Sequence, residues 1–340
     1  IDGDPSTIWH SPWSGGGFPF TLTYKFKEAS HVDYMVYTPR QSGGSNGLFG
    51  EIEVQYALSS APNKYVKAEE ADFGFSEGAS TVTFGEEGLD NVSSMRVIVK
   101  SGYNNFASCA EMGFYQRDAS LNKYVSQLFT TPLCTELKEG VTADQIKAVR
   151  SPYLRGLAQT ILDGNYSTRY RVNTFSAYPT ISSQAAWMKT AGYCRYENPT
   201  GIYFEAGDKI VVFAEGIDSK YPVSLTIQCF SNAASIEKEG QPESSYPLSN
   251  GVNVITASNR GNGYVKYYTD DYKTAPEVKL HFAMATEGGY FDLRRGDTNE
   301  DWQRILANTK SDIIDVVTDR LQVAVPVASA KSVCAKDGVK

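Results

Sequence analysis

Strict alternation of polar and apolar residues across Glu51-Ile52-Glu53-Val54-Gln55-Tyr56 most restricts what this chain can become. A period of two puts Ile52, Val54 and Tyr56 on one face of a strand, a pattern no helix can use. Met95, Val97 and Val99 repeat it. Between Phe20 and about Tyr115 such runs are separated by turn-forming clusters: Gly43-Gly44-Ser45-Asn46-Gly47, Glu77-Gly78, Glu86-Glu87-Gly88 and Ser101-Gly102. Short strands at this spacing predict a β-sandwich.

At about Arg117 the period changes. Leu121, Tyr124, Val125, Leu128 and Phe129 recur at helical intervals, Thr142 with Gln145 makes a capping box, and Ser151-Pro152 starts a third helix carrying Leu154, Leu157, Ala158, Ile161 and Leu162. This segment, 118–168, reads as a helical connector. Strands return after Tyr170, over Lys209 to Ala214, Val223 to Cys229, Tyr264 to Tyr268 and Val278 to Met284, and a second β-sandwich with a few helices accounts for 169–340. Thr298 is expected to cap a helix with Trp302, Ile305 and Leu306, and Ser311 another with Ile313, Ile314, Val316 and Val317. Leu321 to Val327 reads as a strand, while Ser329 to Lys340 shows no packing pattern. The expected fold class is mainly β.

Several functions are disfavoured early. The longest apolar runs fall far short of the roughly 20 residues a membrane helix needs. With 32 Lys plus Arg against 39 Asp plus Glu, a net charge of -7 offers no footprint for nucleic acid. Cys109, Cys134, Cys194, Cys229 and Cys334 have no C-x-x-C spacing and read as buried free thiols. The start Ile1-Asp2-Gly3-Asp4, with no Met or apolar leader, reads as that of a fragment or processed product. Gly43 to Gly47 formally matches G-x-S-x-G, but a strand follows where a nucleophile elbow needs a helix, so Ser45 is assigned no catalysis. Arg295-Gly296-Asp297 and the sequons at Asn91 and Asn165 are assigned no function.

The stretch from Asp2 to Trp13 concentrates hard oxygens and rings. Asp2, Asp4 and Thr7 suit calcium, which takes about six to eight oxygen ligands, although an Asx-turn with solvated acids uses the same residues. Three motifs in order carry a resemblance: Ile1 to Trp13, Pro39-Arg40 before the Gly/Asn-rich loop, and Ala107-Ser108-Cys109-Ala110-Glu111-Met112-Gly113-Phe114-Tyr115. Residues 1–117 thereby resemble an F5/8 type C (discoidin-like) jelly-roll β-sandwich, of the kind grouped with family 32 carbohydrate-binding modules, without its first strand. The resemblance implies a structural Ca²⁺ with side-chain ligands Asp2, Thr7 and Glu111 and backbone oxygens of Asp4 and Ala110. It also implies a glycan site for galactose or N-acetylgalactosamine, as on mucins. There His10, Arg40 and Asn46 would supply hydrogen bonds while Trp13 and Phe106 lie against the sugar ring. Tyr103, in the same loop as Phe106, is an alternative platform.

Asn198 to Val212, with Gly251-Val252-Asn253 and Gly261-Asn262-Gly263-Tyr264-Val265, resembles the N-terminal, non-catalytic part of M60-like (enhancin-like) metallopeptidases. A helical stretch around Tyr166 to Arg171 is compatible with it. Such peptidases use H-E-x-x-H, in which two His on one helical turn hold zinc. Here the only histidines are His10, His31 and His281, and positions 14, 35 and 285 are Ser, Met and Ala, so no zinc site of that kind can form within this chain. His281 alternates with Leu280 and Phe282 and is expected to face solvent or a second layer. The expectation is a non-catalytic middle portion of a secreted or bacterial cell-surface protein, binding glycans on glycoproteins or mucins. The alternatives are a parent that is an active zinc peptidase through residues beyond 340, or an adhesion protein with protein partners.

Overall fold

A computed structural model describes residues 2–4, 6–41, 43–76, 78–85, 88–116, 121–190, 196–230 and 243–339. Cys194 and the turn signals at Glu77 and Glu86-Glu87 lie outside the described residues. The protein forms two compact units, 1–117 with 179–193 and 219–222, and 118–178 with 194–218 and 223–340.

The first unit contains β1 (Trp9–His10), β2 (Phe20–Val32), β3 (Tyr34–Thr38), β4 (Glu51–Leu58), β5 (Val66–Asp72), β6 (Ser80–Thr83), β7 (Leu89–Val99), β8 (Ser108–Cys109) and β9 (Glu111–Tyr115). One sheet has the order β2-β7-β4-β5, the other β6-β3-β9, and β1 pairs with β8. The alternation works as read: Ile52 lies opposite Val99, Val54 opposite Val97 and Tyr56 opposite Met95. Ile52, Val54, Val97 and Val99 from one sheet share a buried core with Met35, Tyr37, Val82 and Met112 from the other. Burying each such side chain contributes about 1.5–3 kcal/mol. Tyr37 stacks on Phe49 at 4.1 Å, and its hydroxyl donates to the Ser108 carbonyl at 2.8 Å. That bond ties the core to the strand that carries the site described below.

In the second unit, α1 (Asn122–Leu128), α2 (Ala143–Lys147) and α3 (Pro152–Leu162) begin where the caps place them, and the Thr142–Gln145 capping box is formed. The next elements are β10 (Val172–Phe175), α4 (Ile181–Met188, grouped with the first unit), β11 (Pro199–Phe204), β12 (Lys209–Glu215), β13 (Ser224–Gln228), β14 (Glu243–Pro247), β15 (Gly251–Thr256), β16 (Gly261–Lys266), β17 (Val278–Ala283) and β18 (Thr286–Glu287). They make sheets of order β10-β17-β12-β15 and β14-β13-β16-β11-β18. The segment 118–168 does more than connect. Val125, Leu128, Leu154 and Leu157 share one core with Val211, Phe213, Val252 and Ala283, so the helices roof the first of these sheets.

The unit ends with β19 (Tyr290–Asp292), α5 (Asn299–Asn308), β20 (Ile313–Val317), β21 (Gln322–Pro326) and α6 (Val327–Val333). Thr298 caps α5 as expected, with Asp301 completing the box. The helix expected after Ser311 is instead strand β20, parallel to β19 and antiparallel to β21. Its β-branched run Ile313-Ile314-Asp315-Val316-Val317 packs on a pleated surface better than on a helix. The Ser311 hydroxyl accepts from Ile313 N two residues on, which makes a turn rather than a cap. The tail is also more ordered than its pattern suggests. Val327 and Ala330 of α6 bury against Trp302, whose indole N–H donates to the Cys334 carbonyl at 2.7 Å. Tyr166 to Arg171 is not a helix but irregular chain that ends in a turn at Arg169 to Arg171.

Candidate functional site

His10 lies opposite Ser108 in the short β1–β8 ladder, which brings the start of the chain to the Ser101–Phe106 loop. Ser11 strengthens this: its N–H donates to the Ala107 carbonyl at 2.7 Å, and its hydroxyl accepts from Ala107 N at 3.0 Å. Gly102 is required where it stands, because a Cβ there would lie 1.9 Å from the Phe106 carbonyl oxygen. Asn104 and Asn105 hold left-handed backbone at φ 53° and 63°, which Asn tolerates better than most residues. These constraints set Phe106 beside His10.

The rings of His10 and Trp13 stack at 3.8 Å with 15° between planes, and Phe106 lies 5.4 Å from the imidazole and 5.9 Å from the indole. Trp13 is 66% exposed. The His10 tautomer follows from geometry, since Nδ1 lies 2.6 Å from the Ser11 carbonyl, which can only accept, so Nδ1 carries the proton. Nε2 is then a lone-pair acceptor, and it is shielded from solvent with no hydrogen-bond partner.

Arg40 and Asn46 join through neighbouring bonds. The Asn46 carbonyl accepts from Arg40 Nη1 at 3.4 Å and from Ser108 Oγ at 3.0 Å, and Ser108 is the strand partner of His10. The Asn46 side-chain oxygen accepts from Asn104 Nδ2 at 2.7 Å. Gly47 permits this close approach, with φ at +89° and a Cβ position only 2.6 Å from Ser108 N. Tyr103 instead packs edge-on against Phe75 at 6.0 Å, so Phe106 is the loop's ring within the cluster. Sequence reasoning missed Ser11, Ser108 and Asn104, which hold the site together. The Asn104-Asn105 pair is a turn signal that points to the last of these.

Four of the five expected calcium ligands, Asp2, Thr7, Glu111 and the Asp4 carbonyl, share one hydrogen-bonded turn, and Ala110 precedes Glu111 in the chain. Thr7 Oγ1 donates to Asp2 Oδ2 at 2.9 Å, and Asp2 Oδ1 accepts from Asp4 N at 2.9 Å. Glu111 Oε1 accepts from Gly3 N at 2.8 Å and Asp2 N at 3.2 Å, linking the first turn to β9 beside Ala110. The Asp4 carboxylate turns outward to Ser6 N, which leaves its carbonyl oxygen toward Thr7. The Asp4 N–H, the Thr7 hydroxyl and Glu111 hold the Asp2 carboxyl below its ordinary value. The donor set is all oxygen, as calcium requires. Among the described residues no group of three or more His, Cys, Asp or Glu side chains forms a metal cluster; this turn brings two carboxylates, with a hydroxyl and carbonyls as the remainder. An open depression of about 540 Å³ adjoins it, lined by Trp9, Leu22, Tyr24, Cys109 and Met112 among others, and does not include His10.

In the second unit His281 is fully buried, which corrects the solvent-facing option and leaves the second layer. Its Nδ1 lies 2.5 Å from the Leu133 carbonyl and its Nε2 2.5 Å from the Tyr166 hydroxyl. Burial pushes it down to about 4. Asp297 of the Arg295-Gly296-Asp297 triplet is buried and paired with Arg295 at 3.1 Å and Arg169 at 3.2 Å, so its carboxylate is not offered to a partner. Cys109, Cys134 and Cys229 are buried free thiols, and Cys334 is half-buried.

Comparison with known proteins divides the chain in two. Residues 1–112 match the F5/8 type C domain, and residues 169–281 match the N-terminal domain of M60-like peptidases. Among solved structures, a metallopeptidase from Bacteroides thetaiotaomicron is 25% identical with a TM-score of 0.56, over 66% of this chain and 38% of that one. A structure of the CBM32-1, CBM32-2 and M60 catalytic domains of Clostridium perfringens ZmpB is 20% identical with a TM-score of 0.46, over 98% of this chain and 37% of that one. The family 32 module of C. perfringens NanJ in complex with galactose is 28% identical with a TM-score of 0.31, over 34% of this chain and 81% of that one. The chain thus spans under two fifths of the length of the first two. No curated protein matches it.

Proposed function

We propose that this chain, an F5/8 type C domain followed by the N-terminal domain of M60-like peptidases, is the glycan-binding and accessory portion of a secreted or bacterial cell-surface peptidase directed at mucin-like glycoproteins. The observation that carries the reading is His10: an imidazole with an unused acceptor, set between Trp13 and Phe106 and linked through Ser108 to Asn46 and Arg40. A galactose-type hydroxyl would donate to Nε2, Arg40 and Asn46 would bond neighbouring oxygens, and an aromatic face would bury the apolar C–H face of the sugar. Terminal galactose or N-acetylgalactosamine is the ligand class.

Calcium would be held by the side chains of Asp2, Thr7 and Glu111 and the carbonyls of Asp4 and Ala110, where its charge would fasten the first turn to β9. The histidines at 10, 31 and 281 provide no H-E-x-x-H, so they build no zinc site of that kind, and the role proposed for this portion is binding. A parent with peptidase activity is the reading favoured by the M60-like match. A glycan array followed by calorimetry with galactose and N-acetylgalactosamine tests the proposal. Binding that His10→Ala abolishes is expected, and no galactosyl binding by the unaltered chain would leave the sandwich a structural or adhesive module.

A further inference from the structure

The geometry points to Trp13 as a movable cap that closes His10 in the ligand-free protein; this rests on the galactosyl-binding reading above. Nε2 is a buried acceptor that nothing satisfies. Such an atom is unfavourable unless a partner arrives, and the indole lying flat on its ring at 3.8 Å is not that partner, because its N–H lies in its own ring plane and does not point at a ring stacked face to face with it. Trp13 is itself 66% exposed, so little of the protein holds its outer face. It is followed by Ser14 and three glycines, Gly15, Gly16 and Gly17, with φ of 71°, 72° and 90°. A Cβ at Gly15 would already touch Phe106 at 3.6 Å. A glycine run of this kind allows large backbone rotation at small steric cost. The other partners of His10 are fixed, since Ser11 and Ala107 are buried and bonded to one another.

The step that admits a hydroxyl to Nε2 is therefore the lifting of Trp13 about this loop while His10 and Phe106 stay in place. Binding then carries a conformational cost, because apparent affinity falls by the open fraction, about tenfold if one molecule in ten is open.

Diethyl pyrocarbonate labelling with peptide mapping reads the cap directly. In His10 only Nε2 is free of a hydrogen bond, whereas both nitrogens of His31 face Asp33 and Asp90, and those of His281 face Leu133 and Tyr166. The expected result is labelling of His10 about tenfold faster in Trp13→Ala than in the unaltered protein, if one molecule in ten is open. Equal rates would overturn the cap. The unaltered protein supplies a second measurement that needs no variant. Its His10 should label about tenfold more slowly than a free His peptide, and a peptide-like rate would also overturn the cap. Calorimetry with N-acetylgalactosamine keeps the two ideas apart. Faster labelling in the variant with no sugar binding by the parent chain removes the ligand and keeps the cap, whereas sugar binding with equal labelling removes the cap and keeps the ligand.

Discussion

His10 in the first unit and His281 in the second begin from the same arrangement and end with opposite roles. In each, Nδ1–H donates to a backbone carbonyl, Ser11 at 2.6 Å and Leu133 at 2.5 Å, which leaves Nε2 as an acceptor. In His281 the Tyr166 hydroxyl fills that acceptor, and the whole side chain is buried under the helices that roof its sheet. In His10 the acceptor stays empty beneath an exposed indole. A histidine whose two nitrogens are both satisfied inside the protein is used for folding. One with a fixed tautomer and a spare lone pair keeps an acceptor available, which is the basis of the ligand role proposed for His10.

The comparison breaks first if His281 is dispensable. His281→Ala removes two buried hydrogen bonds and leaves Tyr166 facing a cavity, so denaturant unfolding should show a loss of about 3–5 kcal/mol. A loss below about 1 kcal/mol would mean the network is not structural.

Titration sharpens it next. Asp315 is fully buried beside the Tyr264 hydroxyl, at 2.9 Å, and burial raises it from 3.8 to about 7. Its folded form prefers the proton, so its contribution to stability is whole below pH 3.8 and disappears as pH rises through 7. His281 runs the other way. Its folded pKa is lowered to about 4 from 6.5, so stability is whole above pH 6.5 and is lost as pH falls through 4. The two slopes oppose each other between about pH 4 and 6.5 and largely cancel, so the stability of the unaltered protein should change little there, while Asp315→Asn, which removes the falling slope, should uncover a rise of about 3 kcal/mol from His281. A variant profile as flat as that of the unaltered protein would assign these slopes elsewhere.

Calcium gives the third contrast, because its expected ligands lie wholly in the first unit. Chelation should lower the melting of that unit by roughly 5–15 °C where calcium had been present at about a hundred times its Kd. The second unit's transition should stay in place. Melting that chelation does not change, with no calcium by elemental analysis, would sink the metal.

The smallest effect on stability is expected where the effect on function is greatest. His10→Ala should change unfolding by no more than about 1 kcal/mol, since it loses the Nδ1–H bond to the Ser11 carbonyl but also removes an acceptor that nothing satisfies, while galactosyl binding is lost. A strongly destabilised His10→Ala protein would return this histidine to the structural class of His281.

Much of this was legible beforehand. The Glu51 to Tyr56 alternation appears as a strand in register with Met95 to Val99, and the Thr142, Ser151 and Thr298 caps start helices, because such signals act within a few residues. Ser311 misled because a hydroxyl before an apolar run suits either a cap or a turn, and only pairing with β19 and β21 selects the strand. The tail gave no pattern because its packing depends on one distant ring. Trp302 accepts Gly338 so closely that a Cβ there would lie 2.4 Å from the indole. His281 alternates with its neighbours, but alternation names a face and not what covers it, and the cover comes from Leu133 and Tyr166, over a hundred residues earlier.

Periodicity and capping, which are local properties of the chain, were enough to specify the β architecture, the helix starts and the residue types at both candidate sites. Whether each polar atom finds a partner was decided by the tertiary structure. That question depends on groups brought together from far apart, such as Asp2 with Glu111, His10 with Phe106 and His281 with Tyr166. It also decided that the carboxylate of Arg295-Gly296-Asp297 is spent inside the fold while one nitrogen of His10 is left free.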